Sequence, residues 1–441
     1  MIDNLSVLFN PRKSSPPDGW KIVRIGDHAK LVAGGTPSTR VQEYWDNGNV
    51  LWMRSGDVHK KRIFDVEGRI TKKGLDNSSA TFLPIDSILV ALAGQGKTRG
   101  TVAVNKVELS TNQSVAAIIP KIGLDHEFLY YNLDARYELL RKLSTGDGGR
   151  GGLNLKILRN IWCVLPPLPE QRKIAGILST WDEVIAKTAQ LIAALQERKK
   201  GLMQHLLTGA VRFPGYVQSD EMQETKFGDI PVDWNTARIE QVAETLFSNV
   251  DKKTDPDEVP VRLCNYMDVF KNLFIINDLQ FMEASANQRE IDKFTLLKDD
   301  VIITKDSEVA EEIAEATVVS EELRNVICGY HLAILRPKRK VFDGTFLMYL
   351  LHYPPVQNQF ARLANGITRF GLTIDSVNHA LVVFPSLPEQ KKIASVLKSC
   401  DKEMTLFQLK LGMFQQQKKD LMQRLLTGEI RVKPERFPSK S

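Results

Sequence analysis

The chain has 441 residues but only four cysteines, Cys163, Cys264, Cys328 and Cys400, far apart and with no Cys-x-x-Cys pair. That spacing excludes a zinc finger or a disulfide framework and leaves ordinary buried thiols. Histidine is scarce as well: there are seven, none paired at metal-ligand spacing, so no metal site is expected. No apolar run approaches the roughly 18 residues that span a bilayer. Met1-Ile2-Asp3-Asn4 lacks the basic and apolar segments of a secretory signal, so a cytoplasmic protein is expected.

Complete catalytic motifs are also missing. ALAGQGKT from Ala91 looks like a phosphate loop, but Ala91 stands where the first glycine belongs. Strand-like Thr101–Val104 follows it, so no helix N-terminus is there to hold a phosphate. Ser15-Pro16-Pro17-Asp18 lacks the aromatic fourth residue of an adenine-methylase Asn/Asp-Pro-Pro-Tyr motif, and no glycine-rich cofactor motif accompanies it. Glu197-x-Lys199 resembles half a nuclease motif with no strand-borne Asp partner. No catalytic residue is assigned, and a non-enzymatic role is expected.

What is present is ordinary globular material, 43% hydrophobic and 25% charged. The length suits two to four domains. A net charge of +6 and a pI near 8.9 are compatible with a nucleic-acid partner without requiring one.

The chain is written twice. LPPLPEQRKIAGIL from Leu165 returns as FPSLPEQKKIASVL from Phe384, and KKGLMQHLLTG from Lys199 returns as KKDLMQRLLTG from Lys418. The offset from Leu165 to Phe384 equals that from Lys199 to Lys418, so Leu165 to Gly209 aligns on its second copy without a gap. Nearly half of those positions are identical. Fainter matches extend upstream. Phe128-Leu129 with Tyr131 answers Phe346-Leu347 with Tyr349, Arg150-x-Gly152-Leu153 answers Arg369-x-Gly371-Leu372, and Gly19-Trp20 answers Asp233-Trp234. The layout is an N-terminal segment 1–18, a divergent block 19–164, a matching block 165–209 and a linker 210–232. A second divergent block 233–383, a second matching block 384–428 and a tail 429–441 follow.

Each matching block reads as one long helix. Prolines 166, 167 and 169 suit its first turn, and Gly209 and Gly428 supply its stop. Apolar residues follow a four-three spacing: Ile174, Leu178, Trp181, Ile185, Ile192, Leu195, Leu202 and Leu206 in the first copy. The second copy has Ile393, Leu397, Cys400, Met404, Phe407, Leu411, Phe414, Leu421 and Leu425. Thr188, Lys199 and Lys418 are the polar members of this heptad seam. A helix lying on its own domain would show a wider apolar face, so the two helices are expected to pair with each other. Antiparallel pairing suits the chain path and gives a dumbbell with a two-helix bar. The linker, with Pro214, Gly215 and mixed charge, reads as a surface connection.

The divergent blocks are mixed α and β. Strands are expected at 49–53, 87–93, 102–107 and 114–119, then at 259–264, 300–304, 316–320 and 332–335, with helices at 126–142 and 345–364. Polar, basic loops lie between them: GGTPSTR at 34–40, HKKR at 59–62, GQGKTRG at 94–100, STNQS at 110–114 and GDGGRGGLN at 146–154. Arg, Lys, Asn and Gln are the side chains that read base edges, and glycine lets backbone approach a ligand. Candidate DNA contacts are therefore Thr36, Ser38, Arg40, Lys60, Lys61, Arg62, Gln95, Lys97, Thr98, Arg99, Asn112, Gln113, Arg150 and Asn154. The second block offers Asn249, Lys252, Lys253, Arg262, Lys305, His331, Arg369 and Thr373. Tyr44, Trp45 and Trp52, near these loops, read as core aromatics.

The twin LPEQ[RK]KIA openings, the twin KK-x-LMQ-x-LLTG endings and their constant separation resemble the specificity subunit of type I restriction–modification systems, across essentially the whole chain. The resemblance implies an α+β fold: two mixed α/β target-recognition domains related by a pseudo-two-fold repeat and joined by two long helices in an antiparallel coiled coil. It implies that each domain reads half of a bipartite, asymmetric site in double-stranded DNA, and that the coiled coil sets the spacing. It also implies docking of two methylation subunits, which two restriction subunits join, to direct adenine methylation and restriction. S-adenosylmethionine, ATP and magnesium would belong to those partners, and no membrane is involved. A specificity subunit of a fused methylase–nuclease system carries the same repeats, and a protein-binding coiled-coil scaffold is the other competing class.

Overall fold

The computed structural model describes residues 15–144, 152–366 and 369–433. The chain divides into two compact units, Met1–Ala189 with Leu409–Ser441, and Gln190–Gln408.

The first unit opens with β1 (Lys21–Arg24), α1 (Ile25–His28), β2 (Ala29–Ala33) and β3 (Val50–Met53). It continues with β4 (Arg62–Ile63), β5 (Arg69–Ile70), α2 (Lys72–Asp76), β6 (Ile88–Ala91), β7 (Val102–Asn105), β8 (Ser110–Thr111) and β9 (Val115–Pro120). Then come α3 (His126–Asp134), α4 (Tyr137–Leu143), α5 (Leu155–Arg159), β10 (Trp162–Leu165) and the 40-residue α6 (Leu168–Leu207), whose second half belongs to the other unit. Five strands form a sheet ordered β2-β9-β6-β7-β4, three form β5-β3-β8, and β1 pairs with β10. The runs ILVA, VAVN and VAAIIP give the central strands apolar residues on both faces, because side chains alternate along a strand. Ile88, Val90, Val104 and Ile118 accordingly join the core under α3 and the start of α6. Leu89, Ala91, Ala103 and Ala117 join Met53 and Val58 on the other face.

The second unit begins with the C-terminal half of α6 and the hairpin β11 (Met222–Thr225) and β12 (Gly228–Pro231). Next are β13 (Asn235–Arg238), α7 (Ile239–Val242), β14 (Ala243–Phe247), β15 (Val259–Cys264), α8 (Tyr266–Lys271), β16 (Phe274–Ile275) and β17 (Met282–Ala286). After α9 (Gln288–Phe294) run β18 (Val301–Thr304), β19 (Asp306–Ser307), β20 (Ala316–Val319), β21 (Val326–Cys328) and β22 (Leu332–Pro337). Helices α10 (Gly344–Leu351) and α11 (Pro354–Leu363), β23 (Phe370–Gly371), α12 (Ile374–His379), β24 (Leu381–Phe384) and the 41-residue α13 (Leu387–Thr427) complete the fold. The sheets are ordered β14-β22-β18-β20-β16 and β17-β15-β21, with β13 on β24. Strand for strand this is the order of the first unit, so the repeat extends through the blocks whose sequences diverge.

Helices α6 and α13 run antiparallel. In the first unit, Trp181 and Phe414 meet edge to face at 6.0 Å between ring centroids, and Lys418 Nζ lies 2.5 Å from Asp182 Oδ1. In the second, Lys199 Nζ lies 2.6 Å from Asp401 Oδ1. Ile174, Leu178 and Leu425 are buried in the first unit, where Trp181, Ile185, Leu411, Phe414 and Leu421 are half-buried. Ile192, Leu195, Leu206, Ile393, Leu397 and Cys400 are buried in the second, beside half-buried Leu202, Met404 and Phe407. Each helix ends in a left-handed glycine, Gly209 (φ +73°) and Gly428 (φ +76°), a conformation that disfavours any side chain.

Three expectations need correction. The helix expected at 126–142 is two, broken between α3 and α4, where buried Arg136 turns inward to donate to the Trp162 carbonyl at 2.5 Å. The helix expected at 345–364 breaks before Pro354 because a residue preceding proline is driven out of the helical region; Tyr353 has ψ +123°. The linker 210–232 is more than a surface connection. Besides the hairpin it holds buried Ile230, and Arg212 with its side chain only 7% exposed and bonded to Glu389 and Asp233.

Candidate nucleic-acid interface

In the first unit, register places several loops at one end of the five-stranded sheet. Ala33 closes β2 opposite Ala116, Ala91 closes β6 opposite Val115, and Val102 opens β7 opposite Val90. Loops 34–40, 92–101 and 112–114 therefore emerge together. Backbone bonds tie them: Gly34 N to Val115 O (3.1 Å), Gly35 N to Thr111 O (2.8 Å) and Leu92 N to Ser114 O (2.8 Å). Helix α4 braces the glycine loop, with Tyr137 Oη donating to Lys97 O and Arg141 to Gly96 O, both at 3.0 Å.

The candidates fall into two groups. Ser38, Arg40, Lys60, Gln95, Lys97 and Gln113 are exposed, with Thr36 hydrogen-bonded to Gln113 and Asn112 and Arg99 half-buried among them. Thr98 Oγ1 bonds His59 Nε2 at 3.1 Å, joining the loop to the 3-10 turn at Ser55–Lys60. The others are engaged inside the unit. Lys61 pairs with Asp134 at 2.7 Å, and Arg62 pairs with Glu127 at 2.6 Å with its guanidinium 4.0 Å from the Tyr130 ring centre. Asn154 caps α5 by accepting from Ile157 N. Arg150 lies outside the described residues. Trp52 is buried, its indole donating to Gly35 O at 2.9 Å and its ring 5.1 Å from that of half-buried Trp45.

The second unit repeats the geometry with other residues. Phe247 closes β14 opposite Ala333, and Thr304 closes β18 opposite Leu332. Lys305, His331 and Arg369, well separated in sequence, meet at this end. His331 Nδ1 lies 2.9 Å from Asp306 Oδ2, Arg369 Nη2 donates to Asp306 Oδ1 at 2.7 Å, and Lys305 Nζ donates to Ser248 O at 2.7 Å. Burial pulls the Lys305 ammonium below its ordinary pKa, whereas the hydrogen bond to Asp306 pushes Arg369 up. Lys252 and Lys253 are exposed in the loop after β14. Asn249 bonds Glu290, Thr373 caps α12, and Arg262 donates from the three-stranded sheet to Arg324 O and Asn277 O. Asp306 gathers the cluster. No sequence signal points to it, because its partners His331 and Arg369 are distant in the chain.

Around the helix ends the matching blocks build the same polar sites twice. Tyr131 Oη donates to Asp182, which Lys418 also binds; Tyr349 Oη donates to Asp401, which Lys199 also binds. Glu170 accepts from Trp20 and Arg431, and Glu389 accepts from Arg212. Gln171 bonds Asp125 N, the cap of α3, and Gln390 bonds Asp343 N, the cap of α10. The LPEQ motif is thus explained: its glutamate receives an arginine and its glutamine fixes the turn before a domain helix. Arg212 and Arg431 stand at the same offset as the two matching blocks, so carrying the repeat comparison just past Gly209 finds them.

Among the described residues, no group of three or more His, Cys, Asp and Glu side chains could hold a metal, and no helix is long and apolar enough to cross a membrane. The four cysteines are buried and free, and burial pushes the Cys163 thiol up to about 11.

Two units of like strand order that carry different loops define a duplicated protein, and comparison gives the family. The pattern of the type I restriction modification DNA specificity domain matches twice, at residues 17–197 and 231–411, and the chain belongs to that family. It is 24% identical over 421 residues to the type I restriction enzyme MjaVIII specificity subunit of Methanocaldococcus jannaschii, covering 95% of this chain and 94% of that one. Over 166 residues it is 28% identical to the EcoR124I/EcoR124II specificity subunit of Escherichia coli, spanning 37% of this chain and 40% of that subunit. In fold it is similar to the type I restriction–modification S subunit from M. genitalium, with a TM-score of 0.57 and 17% identity over 92% of this chain and 96% of that one.

Proposed function

We propose that this chain is the non-catalytic, sequence-specific DNA-binding subunit of a type I restriction–modification complex. Each unit reads one half of a bipartite, asymmetric target, and the helix pair sets the spacing and docks two methylation subunits. Two restriction subunits join them, so one recognition event directs adenine methylation and restriction in the cytoplasm. S-adenosylmethionine, ATP and magnesium sit on the partners, and the chain alone turns over nothing.

The observation that carries this reading is the identical strand order of the two units beneath loops of different composition. A shared scaffold under dissimilar loops suits two readers of dissimilar half-sites, because base edges are read by the side chains that loops supply. The test replaces residues 19–164 with the corresponding block of another family member. Methylation-sensitive sequencing of a host expressing the hybrid with its methylase should show one half-site changed and the other retained. A change in both halves would mean that the blocks are not independent readers.

A further inference from the structure

Resting on that reading, we propose that Arg369 is a preset anchor for a DNA phosphate at the loop end of the second unit, holding the duplex without reading its bases. Three observations support a fixed, outward guanidinium. Arg369 directly precedes β23, which pairs with β19 so that Gly371 faces Asp306. Asn365 and Gly371 exchange two backbone hydrogen bonds of 2.9 Å, which fixes the backbone on the C-terminal side of Arg369. Gly366 has φ +138°, and a Cβ there would collide with the Arg369 carbonyl, so these two residues pack closely.

The side chain is held but not consumed. Asp306 Oδ1 takes one Nη2 bond and His331 Nδ1 lies 3.2 Å from the same nitrogen, which leaves Nε and Nη1 of a guanidinium's five donors. The Arg369 side chain remains 60% exposed, whereas His331 is 30% exposed and Lys305 spends its ammonium on the Ser248 carbonyl. Fixing the fork beforehand lowers the entropy lost on binding an anion.

A phosphate, rather than a base, follows from the repeat. Arg-x-Gly-Leu stands at the same distance ahead of both matching blocks, at Arg150 and Arg369, while the surrounding loops differ. Two half-sites of different sequence share only the sugar-phosphate backbone, so a residue kept by both copies suits what both half-sites have in common.

The experiment measures binding of the full chain, assembled with its methylation subunits, to duplexes with and without its mapped target across a range of salt. R369A should lower the slope of log K against log salt by about one. It should also weaken target and non-target DNA by the same factor and leave the methylated sequence unchanged. R369K should restore the slope, because a lysine supplies the point charge but not the bidentate fork a guanine requires. An unchanged slope in R369A, or one relaxed base pair that R369K does not rescue, overturns the assignment while the DNA-reading function stands. No salt-dependent, sequence-specific binding by the wild-type assembly overturns both.

Discussion

Glu127 stands between Arg62 at 2.6 Å and Lys106 at 2.9 Å, with His126 beside it. Burial pushes its carboxyl up, but the hydrogen bonds from His126 and Lys106 and the charges of Arg62 and Lys106 outweigh burial. They hold it at about 2 against an ordinary 4.5. Because the folded value is the lower one, its stabilisation is complete above about pH 4.5 and is lost as the pH falls through about 2. Glu127→Gln should therefore lower the thermal midpoint at neutral pH, and the gap to wild type should close between pH 4.5 and 2. A gap that stays constant over that range would show that the carboxylate charge does not stabilise the fold. The same cluster explains why HKKR at 59–62 is only partly an exposed basic run. Lys61 and Arg62 are turned inward by Asp134 and Glu127, partners from a distant part of the chain that no local basic run announces.

At the scale of the elements, the seam was legible and its polar rivets were not. A four-three apolar spacing shows in one strand of text which side of a helix is buried. The partner of a lysine in that seam lies on the other helix, in the other copy of the repeat. Lys199 and Asp401 are 15% and 6% exposed, whereas at the matching site Lys418 is 14% and Asp182 40% exposed. Leaving a charge uncompensated costs more where water cannot reach it. Lys199→Ala, which leaves buried Asp401 unpaired, should thus destabilise by roughly 3–5 kcal/mol, and Lys418→Ala, which leaves the more exposed Asp182, by about 1 kcal/mol, as read from urea unfolding midpoints. Lys199→Asp should be at least as damaging as Lys199→Ala, and adding Asp401→Lys should recover most of the loss. If the two alanine variants unfold alike, burial does not set the difference. The helix breaks divide the same way: Pro354 marked one in the sequence, while the break at Arg136 depends on the distant Trp162 carbonyl.

For the whole molecule, the repeat was legible because the connectors and helix ends must satisfy the same geometry twice. The reader topology was hidden because different side chains can fill one sheet pattern. The two ion pairs of the helices also fix a register: the step from Asp182 to Lys199 on α6 equals the step from Asp401 to Lys418 on α13, run in the opposite direction. An insertion on one helix alone would break that register, whereas one heptad on each, after Ala189 and after Gln408, keeps the seam in phase. Such a heptad lengthens a helix by about 10.5 Å, which is about three base pairs at roughly 3.4 Å per pair. If the helices set the spacing between half-sites, as proposed, the variant should favour targets whose spacer is longer by about three pairs. Three pairs also turn the duplex by about 100° at roughly 10–10.5 pairs per turn, and a heptad does not rotate the readers to match. Total activity should therefore fall while the preferred spacer grows. Methylation of a library with randomised spacer length measures both, and a variant that keeps the parental spacing would show that the ruler lies elsewhere than in these helices.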